Sequence, residues 1–253
     1  MILRFKLRFL QIIFVCILIT SGCNFYNGNS PSSLQKNQVP SLKYFETNFL
    51  IDGRIKFKNK DVSHSGEMTI EIFNNSDFKL RVFAPLVGTL LYSISANSEN
   101  LLIKNFQEKY YIKENNNNEV RQKWLGMDLS QIELKWLILG RIPFEHNTST
   151  IQKLSKNKYL IHKGSKKIIF HLNYLGHIEH MEKFVDGLLE YSAEIPIYKK
   201  HVNKYFPRKI NLKDSSKKNH WKIIISDIQT QTSNIKALDL NPPKYLKEFK
   251  ENQ

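Results

Sequence analysis

The chain has 253 residues, 41% of them hydrophobic, and a formal net charge of +15, a composition that suits one folded domain of ordinary size. Its two cysteines are Cys16 and Cys23, so the sequence after residue 23 has no disulfide, no cysteine-ligated metal and no cysteine nucleophile. The positive charge predicts either attraction to anionic surfaces or an ordinary lysine-rich solvated surface, and by itself identifies no partner.

The amino terminus has the pattern of an export signal. Three basic residues precede an apolar run over residues 9–19, and small residues lead from that run to Cys23. The run is too short to cross a hydrocarbon core, which takes roughly 20 helical residues. We therefore predict a signal peptide over residues 1–22. Because an exported protein meets lipid phosphates, we expect no nucleic-acid partner.

The segment Ser21-Gly22-Cys23 resembles the lipobox of bacterial lipoproteins, although Thr20 replaces the usual aliphatic residue and Ile19 lies one place further back. The resemblance implies that Cys23 carries a diacylglycerol and an acyl group after cleavage, with no other cofactor. An ordinary secretory signal with a chance cysteine is the alternative. Asn24 favours the outer membrane over the inner one, by analogy with enteric sorting rules.

The cysteine is followed by a polar stretch. Residues 24–41 are rich in Asn, Ser, Gly, Pro and Gln, and such a composition buries too little apolar surface to order itself. We predict that residues 23–44 are the lipidated cysteine and a flexible tether, and that the folded domain spans 45–233. A polar tail over 234–253 should contain a short helix around 245–249.

Strands are predicted in the first half of the domain, where apolar and polar residues alternate with the period of half-buried strands. Ile51 and Ile55, for example, alternate with charged residues. Turn residues at 74–77 separate two such segments and predict a hairpin. The strands predicted in this half are 49–58, 66–74, 78–84, 90–96, 101–105 and 108–113.

The period then changes. Residues 119–125 and 129–139 have the apolar spacing of helices, with a break at 126–128 and a stop at Gly140 and Pro143. About a dozen antiparallel strands with inserted helices predict an α+β fold, in which a curved sheet packs on helices. The strands predicted after the helices are 158–163, 167–174, 177–184, 188–195, 208–213 and 221–229.

The sequence gives no sign of catalysis. His177 and His180 lie three residues apart in a predicted strand, so their side chains point to opposite faces and cannot chelate one metal together. The chain has no Gly-x-Ser-x-Gly elbow, no Gly-rich phosphate loop and no His-Glu-x-x-His helix. We therefore expect no enzyme, no catalytic residue and no metal site.

Two segments resemble the LolA/LolB family of bacterial lipoprotein carriers, and its LolB branch most. Residues 78–89 resemble a hydrophobic strand that enters a Pro-Leu-Gly turn and returns as a strand. Residues 124–143 resemble a stretch of leucine-glycine, helix, tryptophan, aliphatic, glycine and proline. The likeness covers about 49–232. The family has a proline where Ser130 opens the second helix, and a shorter tail.

The resemblance implies an unclosed antiparallel β-barrel, a curved sheet of about eleven strands with central helices as a lid over an apolar cavity. It implies a monomeric receptor anchored in the outer membrane, which takes lipid-modified proteins from a LolA-like periplasmic carrier, binds their acyl chains and passes them to membrane lipid. Packing in an ordinary core is the alternative for each inward residue. The candidates for the acyl cavity are Ile70, Ile72, Phe78, Leu80, Val82, Leu134 and Trp136.

The turn at 85–88 is a separate candidate site. Pro85 fixes φ and Gly88 permits a turn, so the apolar tip Leu86-Val87 should project outward, where it would contact a membrane or a partner. The resemblance implies that this loop delivers cargo to the membrane. An envelope assembly lipoprotein that binds another envelope protein is the alternative function, and an envelope hydrolase is a third.

Overall fold

The computed structural model describes residues 48–59, 62–73, 77–142, 150–201, 204–231 and 238–249. The predicted signal peptide, Cys23 and the predicted tether lie outside these residues. All of these described residues belong to one compact unit. A chain that starts at residue 24 therefore keeps every described residue.

Two short helices and fourteen strands are present in the described residues. The helices are α1 (Asn118–Leu125) and α2 (Gln131–Ile138). The strands are β1 (Asn48–Asn59), β2 (Val62–Ile72), β3 (Phe78–Phe83), β4 (Leu90–Ala96), β5 (Asn100–Asn105), β6 (Tyr110–Asn115), β7 (Thr150–Lys153), β8 (Lys158–Lys163), β9 (Lys166–Leu172), β10 (Ile178–Val185), β11 (Leu188–His201), β12 (Lys204–Asp214), β13 (Asn219–Gln231) and β14 (Lys247–Glu248).

All fourteen strands belong to one sheet, in the order β14-β6-β5-β4-β3-β2-β1-β13-β12-β11-β10-β9-β8-β7. Two antiparallel meanders, β1 to β6 and β7 to β13, are joined where β1 pairs with β13. The pairing of β14 with β6 is parallel. The predicted curved, unclosed sheet is thereby confirmed. The predicted number of about eleven strands was wrong.

The C-terminal segment differs from its prediction. Instead of a short helix around 245–249, the chain makes a turn and then the two-residue strand β14 on the edge strand β6. The ring of Phe249 packs against Tyr110 at 5.1 Å and against Trp124 at 5.6 Å, measured between ring centroids. These aromatic contacts, together with backbone bonds to β6, hold the segment extended where isolated helical propensity is weak.

Local capping interactions set the helix ends. Helix α2 begins at Gln131, two residues later than predicted, because Ser130 and Glu133 form a capping box: each side chain accepts the other residue's backbone N–H. Helix α1 ends at Leu125 and is capped by Gly126, which has the left-handed φ of +76° that glycine adopts without strain. The Asn219 side chain donates to the Gly126 carbonyl at 2.8 Å and ties this helix end to β13.

The core lies between one face of the sheet and the helices. Alternate residues of the long strands are buried, as Phe49 and Ile51 are in β1, while their neighbours face outward. Leu134 and Leu137 of α2 join the same hydrophobic cluster. A smaller cluster of Ala96, Leu101 and Val120 lies under α1. The sheet therefore has an inner face covered by helices and an outer face in solvent.

Candidate functional site

An apolar cavity of about 280 Å³ lies between the inner face of the first meander and helix α1. Twelve of its sixteen lining residues are aliphatic or aromatic. The volume is at the lower end of the roughly 300–1,000 Å³ typical of small-molecule sites. A ligand with one or a few alkyl segments suits a space of this size and chemistry.

Strand register builds the floor of the cavity. Leu80, Ile94, Ile103 and Ile112 are cross-strand neighbours on β3, β4, β5 and β6 and form one continuous apolar row. Residues two apart on a strand point to the same face, so a second row of side chains lies beside the first. This second row is more polar. Its members are Val82, Tyr92, Asn105 and Tyr110.

Two of the polar side chains that line the cavity, Asn105 and Tyr92, have hydrogen-bond partners within the protein. The Asn105 side-chain oxygen accepts the backbone N–H groups of Gln107 and Glu108, both at 3.0 Å. The Tyr92 hydroxyl donates to the Gln107 side-chain oxygen at 3.0 Å. Burial raises the pKa of Tyr92, and the negative charge of Glu108 raises it further, so the phenol stays neutral at neutral pH. The cavity therefore presents mainly hydrocarbon to a ligand.

Helix α1 closes one side of the cavity with Trp124 and Leu125. The Trp124 indole N–H donates to Glu114 at 2.9 Å, and its ring meets Phe249 of the C-terminal segment. Two residues of this helix, Val120 and Leu125, are buried, whereas seven of α2 are. Helix α1 is thus held by less apolar burial than α2.

A buried ionic cluster fixes the junction of the two helices to the sheet. The Lys183 ammonium on β10, whose residue is 1% exposed, lies 3.0 Å from the Asp128 carboxylate and 2.9 Å from that of Glu133. It also donates to the Asp128 carbonyl at 2.9 Å. Arg121 of α1 lies 2.6 Å from the other Asp128 oxygen. Both helices are therefore tied through these charges to β10.

The electrostatics of Asp128 follow from this cluster. Burial alone would raise the pKa of its carboxyl, but the charges and hydrogen bonds of Lys183 and Arg121 outweigh burial and lower it. A carboxyl with a lowered pKa in the folded state stabilises the fold above its ordinary pKa, about 3.9. That contribution is lost as the pH falls through the lowered value.

The structure places the seven predicted cavity residues in two groups. Leu80 and Val82 line the cavity, and both are buried. The other five residues are buried elsewhere and do not line this cavity. Four of them belong to the main core cluster, namely Ile70, Ile72, Phe78 and Leu134, and the fifth is Trp136. Of the fourteen lining residues that sequence reasoning missed, six come from β4, β5 and β6. Their signal was available in the alternation of the strands predicted there.

The turn between β3 and β4 carries an exposed apolar tip. The residue Leu86 is fully exposed and Val87 is 74% exposed, next to the exposed Pro85 and Gly88. Backbone bonds from Gly88 to Ala84 and from Ala84 to Thr89 close the turn. Leu86 has a φ of +71°, which is unfavourable for a residue with a side chain. The fold thus holds an apolar side chain in water at the cost of backbone strain.

Two general features bear on the class of protein. Across the described ranges, no group of three or more His, Cys, Asp or Glu side chains is placed to hold a metal ion. His177 stacks on Tyr198 with ring centroids 4.7 Å apart. Of the helices that the structure describes, none is long and apolar enough to span a bilayer.

No family model and no curated protein matches the sequence. Solved structures do resemble it in fold. A Nitrosomonas europaea protein of the LolA superfamily has 10% identity and a TM-score of 0.54, over 78% of this chain and 92% of its own. A Vibrio parahaemolyticus domain, described as an outer membrane lipoprotein-sorting protein, has 11% identity and a TM-score of 0.51, over 77% and 89%.

A third structure, a DUF1329 family protein from Desulfovibrio piger, has 7% identity and a TM-score of 0.54, over 80% of this chain and 91% of its own. Identities this low concern the fold and not the ligand. The chain therefore has a LolA-like fold: one curved, unclosed sheet with helices on its inner face.

Proposed function

We propose that this protein is a lipid-anchored protein of the bacterial envelope that binds the acyl chains of lipid-modified proteins and passes them to a membrane. The observation that carries the proposal is the apolar cavity under α1, set in a LolA-like sheet. Burial of alkyl surface there would contribute about 25 cal/mol per Å² removed from water. No cofactor or catalytic step is required for such a transfer.

The size of the cavity adds a mechanical requirement. A volume of about 280 Å³ is small for a lipid group with several acyl chains, so such cargo would need the site to widen. Movement of α1 would widen it, because this helix forms one wall and buries few side chains. Residues of the row Leu80, Ile94, Ile103 and Ile112 would then form the floor against which the chains lie.

Uptake of a fluorescent fatty-acid probe by the chain that starts at residue 24 tests the proposal. Trp124 and Trp221 line the cavity, so their fluorescence should change as the probe enters. An added lipid-modified protein should displace the probe. If the probe neither binds nor is displaced, the cavity proposal fails, and an assembly lipoprotein that binds another envelope protein becomes the better account.

The tip at 85–88 has a role in delivery under this proposal. We expect Leu86→Glu to change stability by no more than about 0.5 kcal/mol, because the side chain contacts solvent. A charge at the tip would oppose its insertion among lipid acyl chains, and the cost grows with depth. Cargo should then enter the variant normally but stay on it when liposomes are added.

The Leu86 experiment needs paired measurements of the thermal midpoint and of the cargo recovered with liposomes. Leu175→Glu is the matched control, since Leu175 is another exposed leucine in a turn. A large fall in the midpoint of Leu86→Glu would show that this leucine supports the fold. Delivery at the native rate by an intact variant would remove the tip from the transfer step.

The anchor in the proposal is Cys23, with the outer membrane as its location and a LolA-like carrier as the donor. Cys23→Ala should abolish incorporation of labelled palmitate and leave the protein uncut or unanchored, because no other cysteine follows the signal. The measurement is labelled palmitate in the immunoprecipitated protein, with Cys16→Ala as the control that keeps the label. Palmitate on the Cys23→Ala protein would contradict the assignment.

A further inference from the structure

Basic side chains are concentrated on one end of the outer face, on three adjacent strands. Ile224 of β13 pairs with Arg54 of β1 on one side and with Lys209 of β12 on the other. In the same way His220 lies between Lys58 and Lys213, and Lys222 pairs directly with Lys56. We call this surface the basic face and define it by six side chains: Arg54, Lys56, Lys58, Lys209, Lys213 and Lys222.

The basic face is poorly compensated. Arg54 and Lys213 pair with Glu67 at 3.1 Å and with Glu194 at 3.4 Å. The other four basic side chains make no ion pair within the part of the chain that the structure describes. Lys56 and Lys222 even stand directly opposite each other, an arrangement of like charges that destabilises a sheet.

The pKa of His220 is lowered by burial and by the same cluster of positive charges. Burial lowers the pKa of His220, and the positive charges of Lys213, Lys222 and Lys56 lower it further, against the opposing effect of Glu194. Four cations that make no ion pair among the described residues, two of them directly opposed across β1 and β13, are better explained by an anionic ligand than by solvation alone.

The exposed tip belongs to this same surface. Pro85 and Leu86 line one cleft of about 420 Å³ together with Arg54, Lys56 and Lys222. The tip therefore lies beside the outer face of β1 and β13 while Leu86 stays fully exposed. An apolar tip beside clustered cations matches a surface with acyl chains below and phosphates above, which is the structure of a phospholipid leaflet.

We propose that the basic face, with the tip at 85–88, is a docking surface for an anionic phospholipid bilayer. The lysines would bind headgroup phosphates while Leu86 and Val87 enter the acyl boundary. The inference rests on the proposed delivery to a membrane and adds which face of the protein meets it.

The test is co-sedimentation of the chain that starts at residue 24 with vesicles. Vesicles of phosphatidylcholine are compared with an equal mixture of phosphatidylcholine and phosphatidylglycerol. The variant Lys56→Thr/Lys222→Thr removes two central charges, and Lys166→Thr/Lys167→Thr removes two exposed charges from β9, far along the sheet, as the control. Threonine keeps the strand propensity in both pairs.

The native chain should bind the anionic vesicles and not the neutral ones, and added salt should weaken the binding. The Lys56/Lys222 variant should lose about fivefold per lysine, or about 25-fold in all, while the Lys166/Lys167 control changes less than about twofold. The thermal midpoint of the Lys56/Lys222 variant should be unchanged or higher, because a like-charge pair has been removed.

Equal losses in both double variants would show a general effect of net charge and overturn the docking face. Equal binding to neutral and anionic vesicles would also overturn the docking face. Binding to an acidic envelope protein in the absence of any binding to vesicles would overturn it too. Uptake of the fatty-acid probe is measured on the same samples. If that uptake persists while vesicle binding fails, the docking inference is wrong and the acyl-binding function stands.

Discussion

Replacing Lys183 with methionine should lower the free energy of unfolding by about 3–5 kcal/mol, the range for breaking a buried ion pair. Methionine has a similar length, so little packing is lost, but it leaves two carboxylates at the helix junction without their ammonium partner. Asp128 keeps Arg121, whereas Glu133 keeps only the hydrogen bonds within its capping box. Urea denaturation followed by circular dichroism measures the change.

Lys213→Met is the matched control for this experiment. Lys213 makes an ion pair with Glu194 at 3.4 Å on the half-exposed outer face, where water screens the charges. Such a pair is worth about 0–1 kcal/mol, so the same substitution should cost little there. Equal effects of the two substitutions would show that the buried cluster does not hold the helices to the sheet.

Filling the acyl cavity should have the largest effect on binding. Ile94 and Ile103 face each other across β4 and β5 in the floor, and both line the cavity. Ile94→Trp and Ile103→Trp should each reduce probe affinity by about tenfold or more, because an indole occupies much of the space for an alkyl chain. The empty volume should limit the cost of overpacking to the low end of about 1–3 kcal/mol.

Ile197→Trp is the control for cavity filling, since Ile197 is half exposed on β11 and does not line the cavity. Probe titration and thermal midpoints are measured for all three variants. Native affinity in a folded Ile94→Trp and a folded Ile103→Trp protein would mean that the probe binds elsewhere. Loss of affinity in Ile197→Trp as well would point to a general change in the sheet.

The strands were largely predictable because alternation and turn residues mark them independently of tertiary context. Strands β4 and β8 begin and end where the pattern places them, at Leu90–Ala96 and Lys158–Lys163. Strand β7 was missed because it has four residues and one buried apolar residue, Ile151. Such a segment is too short to show the alternation of apolar and polar residues that marks a strand. The start of α2 was readable in the Ser130-x-x-Glu133 signature.

The site was less predictable, since alternation tells which side chains face inward but not where the packed core ends. Ile70 and Leu80 are neighbours across β2 and β3 on the same face, yet Leu80 lines the cavity and Ile70 does not. That difference depends on which part of the sheet each helix covers. Lys183 was unpredictable for a related reason: its counterions come from the helix junction, fifty and fifty-five residues earlier in the sequence.

The basic face arises from strand order. Lys56 and Lys222 are far apart in the sequence, and their meeting depends on the pairing of β1 with β13, which joins the two meanders. Strand alternation alone would place each lysine on an outward face. The neighbourhood of the tip and these lysines is therefore a property of the fold.

The most direct test of acyl binding compares two peptides that differ only in their lipid. A triacylated cysteinyl peptide and the same peptide without acyl groups are titrated into the chain that starts at residue 24, by calorimetry and by tryptophan fluorescence. We expect saturable one-to-one binding of the acylated peptide, weakened by about tenfold or more in Ile94→Trp and in Ile103→Trp, and no binding of the bare peptide. Equal binding of the two peptides, or binding of neither, would contradict the claim that the cavity under α1 holds acyl chains.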